Sequence, residues 1–163
     1  MSAIRWTALA ALAFLLQTHF SIFSIPLNLT LLVVYAFALR HLSSRSAGPQ
    51  SVAGELKSTA FGAAVGFFED ILSGSIVGPH IFSMGMTGFV TTFSFNDIIF
   101  RWTPVVGVCA LLSLNFFDSL TGVELRVLFT HLSVGWGSML QSFAVQALIT
   151  LPFGVLLRPL DPD

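Results

Sequence analysis

Charge is what this sequence has least of. Only 9% of its 163 residues are Asp, Glu, Lys or Arg, against about 25% in a typical soluble domain. Lysine occurs once, as Lys57, while phenylalanine occurs 17 times. So little charge cannot coat a water-facing surface, which excludes an ordinary soluble domain. The net charge of −1 provides no basic face for nucleic acid. The single cysteine, Cys109, lies in an apolar run; it cannot form an internal disulfide and reads as a small buried hydrophobe. Four scattered His have no Cys or second His at ligand spacing, so neither a metal nor a cofactor is expected. Catalytic patterns are missing too. There is no Gly-x-Ser-x-Gly elbow and no His-Glu-x-x-His. The adjacent acids Glu69 and Asp70 cannot converge on one bond as paired glycosidase carboxylates do. The expectation is a protein that is not an enzyme.

What is present is hydrophobic sequence, at 55% of the chain. A bilayer-spanning helix needs roughly 20 mostly apolar residues. Interruptions by Pro, Gly and polar clusters divide the chain into six such stretches, at about 6–23, 27–39, 58–73, 80–95, 105–117 and 128–157. The expected fold is an all-α integral membrane protein, a six-helix transmembrane bundle forming one domain over residues 1–163. Gln17-Thr18-His19 follows the first apolar run where a small-residue cleavage site would stand in a signal peptide, so that run is expected to be a retained span. With the N-terminus cytoplasmic, Arg5, Arg40, Arg45, Lys57, Arg101 and Arg158 fall inside and Arg126 alone outside. That bias places both termini in the cytoplasm.

Charges within a membrane are expensive and mark function by default. Asp70 lies 13 residues past Lys57, roughly 20 Å along a helix axis, well inside the hydrocarbon. Gly62, Gly66 and Asp70 recur every four residues and share one face. The glycine pair lets another backbone approach closely, so Asp70 faces a packed neighbour. Gly74 and Gly78 then open the chain into a turn before His80, which stands within reach of Asp70. Two readings of Asp70 stand side by side. In one it accepts hydrogen bonds from the amides around Ser73–Ser75; in the other it serves a ligand. Glu69 sits about 100° around the helix and is expected to reach toward water. Asp118 and Glu124 are expected to be solvated in a polar loop, His19 and His131 to be interfacial, and Trp6, Trp102 and Trp136 to be interfacial or packing aromatics.

The stretch from Gly66 to His80, Gly-Phe-Phe-Glu-Asp-Ile-Leu-Ser-Gly-Ser-Ile-Val-Gly-Pro-His, resembles the signature of the rod shape-determining MreD family. In that pattern Gly is followed four residues later by Asp, then Gly-Ser, a second Gly and an apolar helix. Here these are Gly66, Asp70, Gly74-Ser75, Gly78 and the helix after His80. Pro26, the basic loop after residue 40 and the Gly/Ala-rich third span agree; Glu69 and Pro79 depart from the pattern. The resemblance implies a non-catalytic scaffold of the bacterial cytoplasmic membrane that works in rod elongation and peptidoglycan synthesis. Its implied partner is an MreC-like single-span protein. MreB, a glycosyltransferase and a penicillin-binding transpeptidase are indirect partners, and membrane lipid surrounds it. It also implies a fold like the substrate-binding subunits of energy-coupling-factor vitamin transporters, and such a subunit is the alternative function. Those subunits carry Ala-x-x-x-Ala in the first helix, whereas Ala8, Ala10, Ala11 and Ala13 contain no pair four apart. A third reading makes Glu69 and Asp70 the titrating groups of a proton-coupled carrier.

Overall fold

The computed structural model describes residues 3–19, 21–22, 25–26, 28–42, 49–74, 77–98, 102–130 and 136–157. The fold is all-α. Its helices are α1 (Ala3–His19), α2 (Leu29–Arg40), α3 (Pro49–Ser73), α4 (Pro79–Phe93), α5 (Pro104–Thr130) and α6 (Trp136–Leu156). A π-helical turn, Ser94–Ile98, extends α4. Between α1 and α2, Ser21–Ile22 pairs antiparallel with Ile25–Pro26. Proline opens α3, α4 and α5, the position at which its missing N–H and fixed φ cost nothing.

The helix bounds differ from the expected spans in ways that hydropathy alone does not anticipate. α3 begins at Pro49 rather than Ser58. Glu55, Leu56 and Lys57 are good helix formers, so the helix runs on into sequence too polar for hydrocarbon. α5 passes straight through Asp118 and Thr121 to Thr130, where a polar loop was expected, and α6 correspondingly starts at Trp136 rather than 128. α1 ends at His19, short of residue 23. The side chains of Asp97, Glu124 and Trp136, and residues Ser75 and His131, lie outside the described residues.

α2 forms the centre. Leu31, Leu32, Val33, Val34, Tyr35, Phe37, Ala38 and Leu39 are all buried on it, as expected of a helix enclosed on every side. It packs against α1, α3 and α4; α3 with α4 is the most extensive pairing and α5 with α6 the next. Trp6 packs edge-on against Phe37 with ring centroids 5.3 Å apart, and Arg40 lies 5.7 Å from the Trp6 ring centroid. Trp6 is thus a core residue.

Beside the apolar core, several polar residues are buried and many large apolar ones are exposed. Thr30, Ser58, Glu69, Asp70, Ser83, Thr87, Thr92 and Asn115 are buried, while Leu12, Leu15, Phe68, Leu72, Phe82 and Phe116 are exposed. Cys109 is exposed on α5, contrary to the expectation that it is buried; it projects away from the bundle with the other outward apolar groups. By length and apolarity together, Pro104–Thr121 is the one candidate membrane span among the described residues, and Leu29–Arg40 and Phe143–Leu156 are shorter apolar helices. α1 has 17 residues, α4 has 15, and α3 carries Glu55, Lys57, Glu69 and Asp70.

Candidate functional site

The α3–α4 junction brings together the residues singled out from the sequence. A Cβ on Gly62 would stand 2.1 Å from the Met84 carbonyl oxygen, and one on Gly66 would stand 2.0 Å from that of His80. No side chain fits at either position, so these glycines let the two backbones touch. Gly88 does the same from the other side, 2.2 Å from the Ser58 carbonyl oxygen, and the Ser58 and Thr92 hydroxyls are hydrogen-bonded at 2.6 Å. Gly74 and Gly78 serve differently. A Cβ would meet nothing at either, but their φ angles are 63° and 139°, conformations that glycine adopts without steric cost.

Asp70 lies at the centre of this junction with no solvent exposure. Its Oδ2 accepts from the Gly78 amide at 2.7 Å and the Ile81 amide at 3.4 Å. Its Oδ1 accepts from the His80 amide at 3.3 Å and pairs with His80 Nδ1 at 2.7 Å. The amides of α4 are therefore capped by a carboxylate from the preceding helix. Gly78, at the N-cap position, has no side chain to do this itself. The negative charge also meets the positive end of the α4 dipole. Asp70 is a hydrogen-bond acceptor, but its donors are Gly78, His80 and Ile81, beyond the turn, and not Ser73 or Gly74; Ser75 lies outside the described residues.

A second polar cluster adjoins the first. Glu69 is buried, and it does not reach toward water. Its carboxylate accepts from Gln17 Nε2 at 2.6 Å and from the Thr30 hydroxyl at 3.1 Å. Gln17 Oε1 in turn accepts from the Leu29 amide at 3.0 Å, and Asn28 caps α2 by accepting from the Leu31 amide at 3.2 Å. Asn28 Nδ2 donates to Asp118 Oδ2 at 2.6 Å, while the Ser83 hydroxyl donates to Asp118 Oδ1. Asp118 is therefore a helical residue bonded to α4 and to the α2 cap; it does not belong to a solvated loop. Its acceptor capacity is satisfied by a helix face that brings Ser83 and Asn28 to it. His19 is exposed.

Gln17, Asn28, Thr30, Ser83 and Asp118 were not picked out as site residues. Part of the signal was present: Ser83, Thr87 and Thr91 repeat every four residues along one face of an otherwise apolar helix. Gln17 and Asn28 look like loop punctuation, and only tertiary structure brings them to Glu69 and Asp118. An apolar groove of about 490 Å³ lies between α1 and α3, lined by Ala10, Phe14, Leu15, Ala64 and Phe68 and reached by Thr30 and Glu69. Neither a protein-family model, nor a curated protein, nor a solved structure matches the chain.

Proposed function

We propose that the chain is a multi-span protein of the bacterial cytoplasmic membrane, acting as a non-catalytic scaffold of rod-shaped growth in the manner of the MreD family. Six helices cross the bilayer and both termini are cytoplasmic. The exposed apolar and buried polar side chains support the membrane reading. Exposed Leu, Ile and Phe occur on α1, α3, α4 and α5, and lipid would accept them. Glu69, Asp70 and Asp118 each accept hydrogen bonds from protein donors, as polar groups in hydrocarbon must.

One observation carries the functional reading. Gly66, Asp70, Gly74, Gly78 and His80, in which the resemblance lies, and Gly62 one turn before them each act in locking α3 to α4. Both Asp70 oxygens are committed to structural donors, which favours a scaffold over a carrier that titrates there. The α1/α3 groove offers a single-span partner helix an apolar surface at membrane depth. Deleting the gene in its own host should turn rods into spheres, and the full chain purified in mild detergent should bring down a single-span protein with a periplasmic coiled coil. Unchanged cell shape with loss of vitamin uptake, and recovery of an ATPase instead, would overturn the scaffold reading in favour of the transporter subunit.

A further inference from the structure

The α1–α3 groove, at about 490 Å³, falls within the roughly 300–1,000 Å³ of ordinary small-ligand sites. The two helices run alongside each other in the same direction. Trp6 packs against Phe61 at one end, and Gln17 bonds to Glu69 at the other. The α3 wall extends from Phe61 to Leu72, roughly 16 Å along the axis at about 1.5 Å per residue. Ala10, Ala11 and Ala64 leave the space open, and Glu69 is the one charged residue that lines it. The groove is thus a long apolar slot with a carboxylate toward one end.

That carboxylate is short of donors. The Thr30 hydroxyl has one proton and three acceptor oxygens around it: Glu69 Oε2 at 3.1 Å, Gln17 Oε1 at 3.2 Å and Asn28 Oδ1 at 3.4 Å. Gln17 Oε1 also accepts from the Leu29 amide, and Asn28 Oδ1 from the Leu31 amide. Glu69 Oε2 has only the shared hydroxyl among the described residues, although an ionised carboxylate has about four acceptor sites. Thr30 and Glu69 line the groove and Gln17 does not, so the donor-poor oxygen is the one toward the groove. Glu69 is 5% exposed, and no Lys, Arg or His among the described residues forms an ion pair with it. A buried acid of this kind calls for a hydrogen-bonded cation. A primary ammonium supplies both the charge and three N–H donors, and an alkyl tail on it would fill the slot.

We propose that the α1–α3 groove is a binding site for a long-chain primary amine, its tail along α3 and its ammonium on Glu69 Oε2 beside Thr30. If the carboxyl holds a proton in the empty protein, that proton passes to the amine on binding, and the bound pair is ammonium and carboxylate in either case. The site does not rest on the scaffold reading, and the assay uses the full chain purified without a partner helix that could cover the groove. The test is thermal unfolding in micelles of a neutral maltoside detergent, with dodecylamine or dodecyltrimethylammonium added at the same low fraction of the detergent. The second compound has the same tail and charge but no N–H. Dodecylamine should raise the wild-type midpoint by several degrees and saturate, since a ligand that binds only the folded state stabilises it. The trimethylammonium compound should need a several-fold higher concentration for the same shift. Glu69→Gln should remove the preference for the primary amine. Ala64 is exposed in the groove, so Ala64→Phe fills the slot without entering the core; it should fold normally and lose the response, and it decides the matter if the Gln variant does not fold. A wild type that responds to neither compound, or equally to both, overturns the proposal. So does an undiminished response in Ala64→Phe or an undiminished preference in Glu69→Gln.

Discussion

Asp70 shows how far a single residue can be understood from spacing. Its four-residue interval from Gly66 puts it on the contact face, and His80 just after the turn suggests its partner. Its role as the cap of α4 depends on how the turn folds back, which spacing does not disclose. Replacing it separates charge from hydrogen bonding. Asp70→Leu leaves the Gly78 and His80 amides without their acceptor, at about 1–3 kcal/mol for each buried group. Asp70→Asn keeps one oxygen for the Gly78 amide and offers an N–H to His80 Nδ1, but it turns a donor toward the His80 amide. We expect Asn to support rod shape partly and Leu to fail, measured by complementation at matched membrane levels. Equal failure of both with normal folding would point to a titrating group. Glu69 and Asp118 were harder to read. Each looks like a solvent-facing acid because its partners, Gln17, Thr30, Asn28 and Ser83, come from other helices.

At the scale of elements, the four glycines of the α3–α4 junction divide into two kinds, and the division predicts different mutational behaviour. Gly62 and Gly66 are fixed by space, Gly74 and Gly78 by backbone conformation. Gly66→Leu must separate α3 from α4, and overpacking of this kind costs about 1–3 kcal/mol; it should lower the protein level and the yield of partner complex. Gly74→Asn introduces a residue that tolerates the left-handed region into open space, and it should be close to neutral. Membrane levels by immunoblot and partner co-purification check both, and a Gly66→Leu protein with normal level and normal pull-down would contradict the close approach. The existence of most helices was legible because apolar runs and proline punctuation agree. Their ends were not, because helix propensity continues through Glu55–Lys57 and through Asp118–Thr121 where hydropathy fails. The tight α5–α6 crossing, in which a Cβ on Gly107 would stand 2.3 Å from the Gly154 carbonyl oxygen, had no repeat pattern to announce it.

For the whole molecule, composition says most. A chain with one lysine and abundant phenylalanine cannot cover itself in charge, and around its apolar core the structure exposes large apolar side chains while burying several polar ones. The proposed six crossings would give the helix ends opposite sides. Arg5 precedes the middle of α1, Arg40 ends α2, Lys57 lies early in α3 and Arg126 late in α5, so alternate helix ends carry the basic residues. The proposals about partner and membrane topology presuppose six crossings. The most direct measurement is cysteine accessibility in a Cys109→Ser background, which removes the only native thiol. Single cysteines at Ser24, Ser46, Ser75 and Ser133 are probed with a membrane-impermeant maleimide in intact spheroplasts and in inverted vesicles. Ser24→Cys, Ser75→Cys and Ser133→Cys should label from the outside only, and Ser46→Cys from the cytoplasmic side only. Labelling of Ser46→Cys and Ser133→Cys from the same side would contradict the six-span bundle.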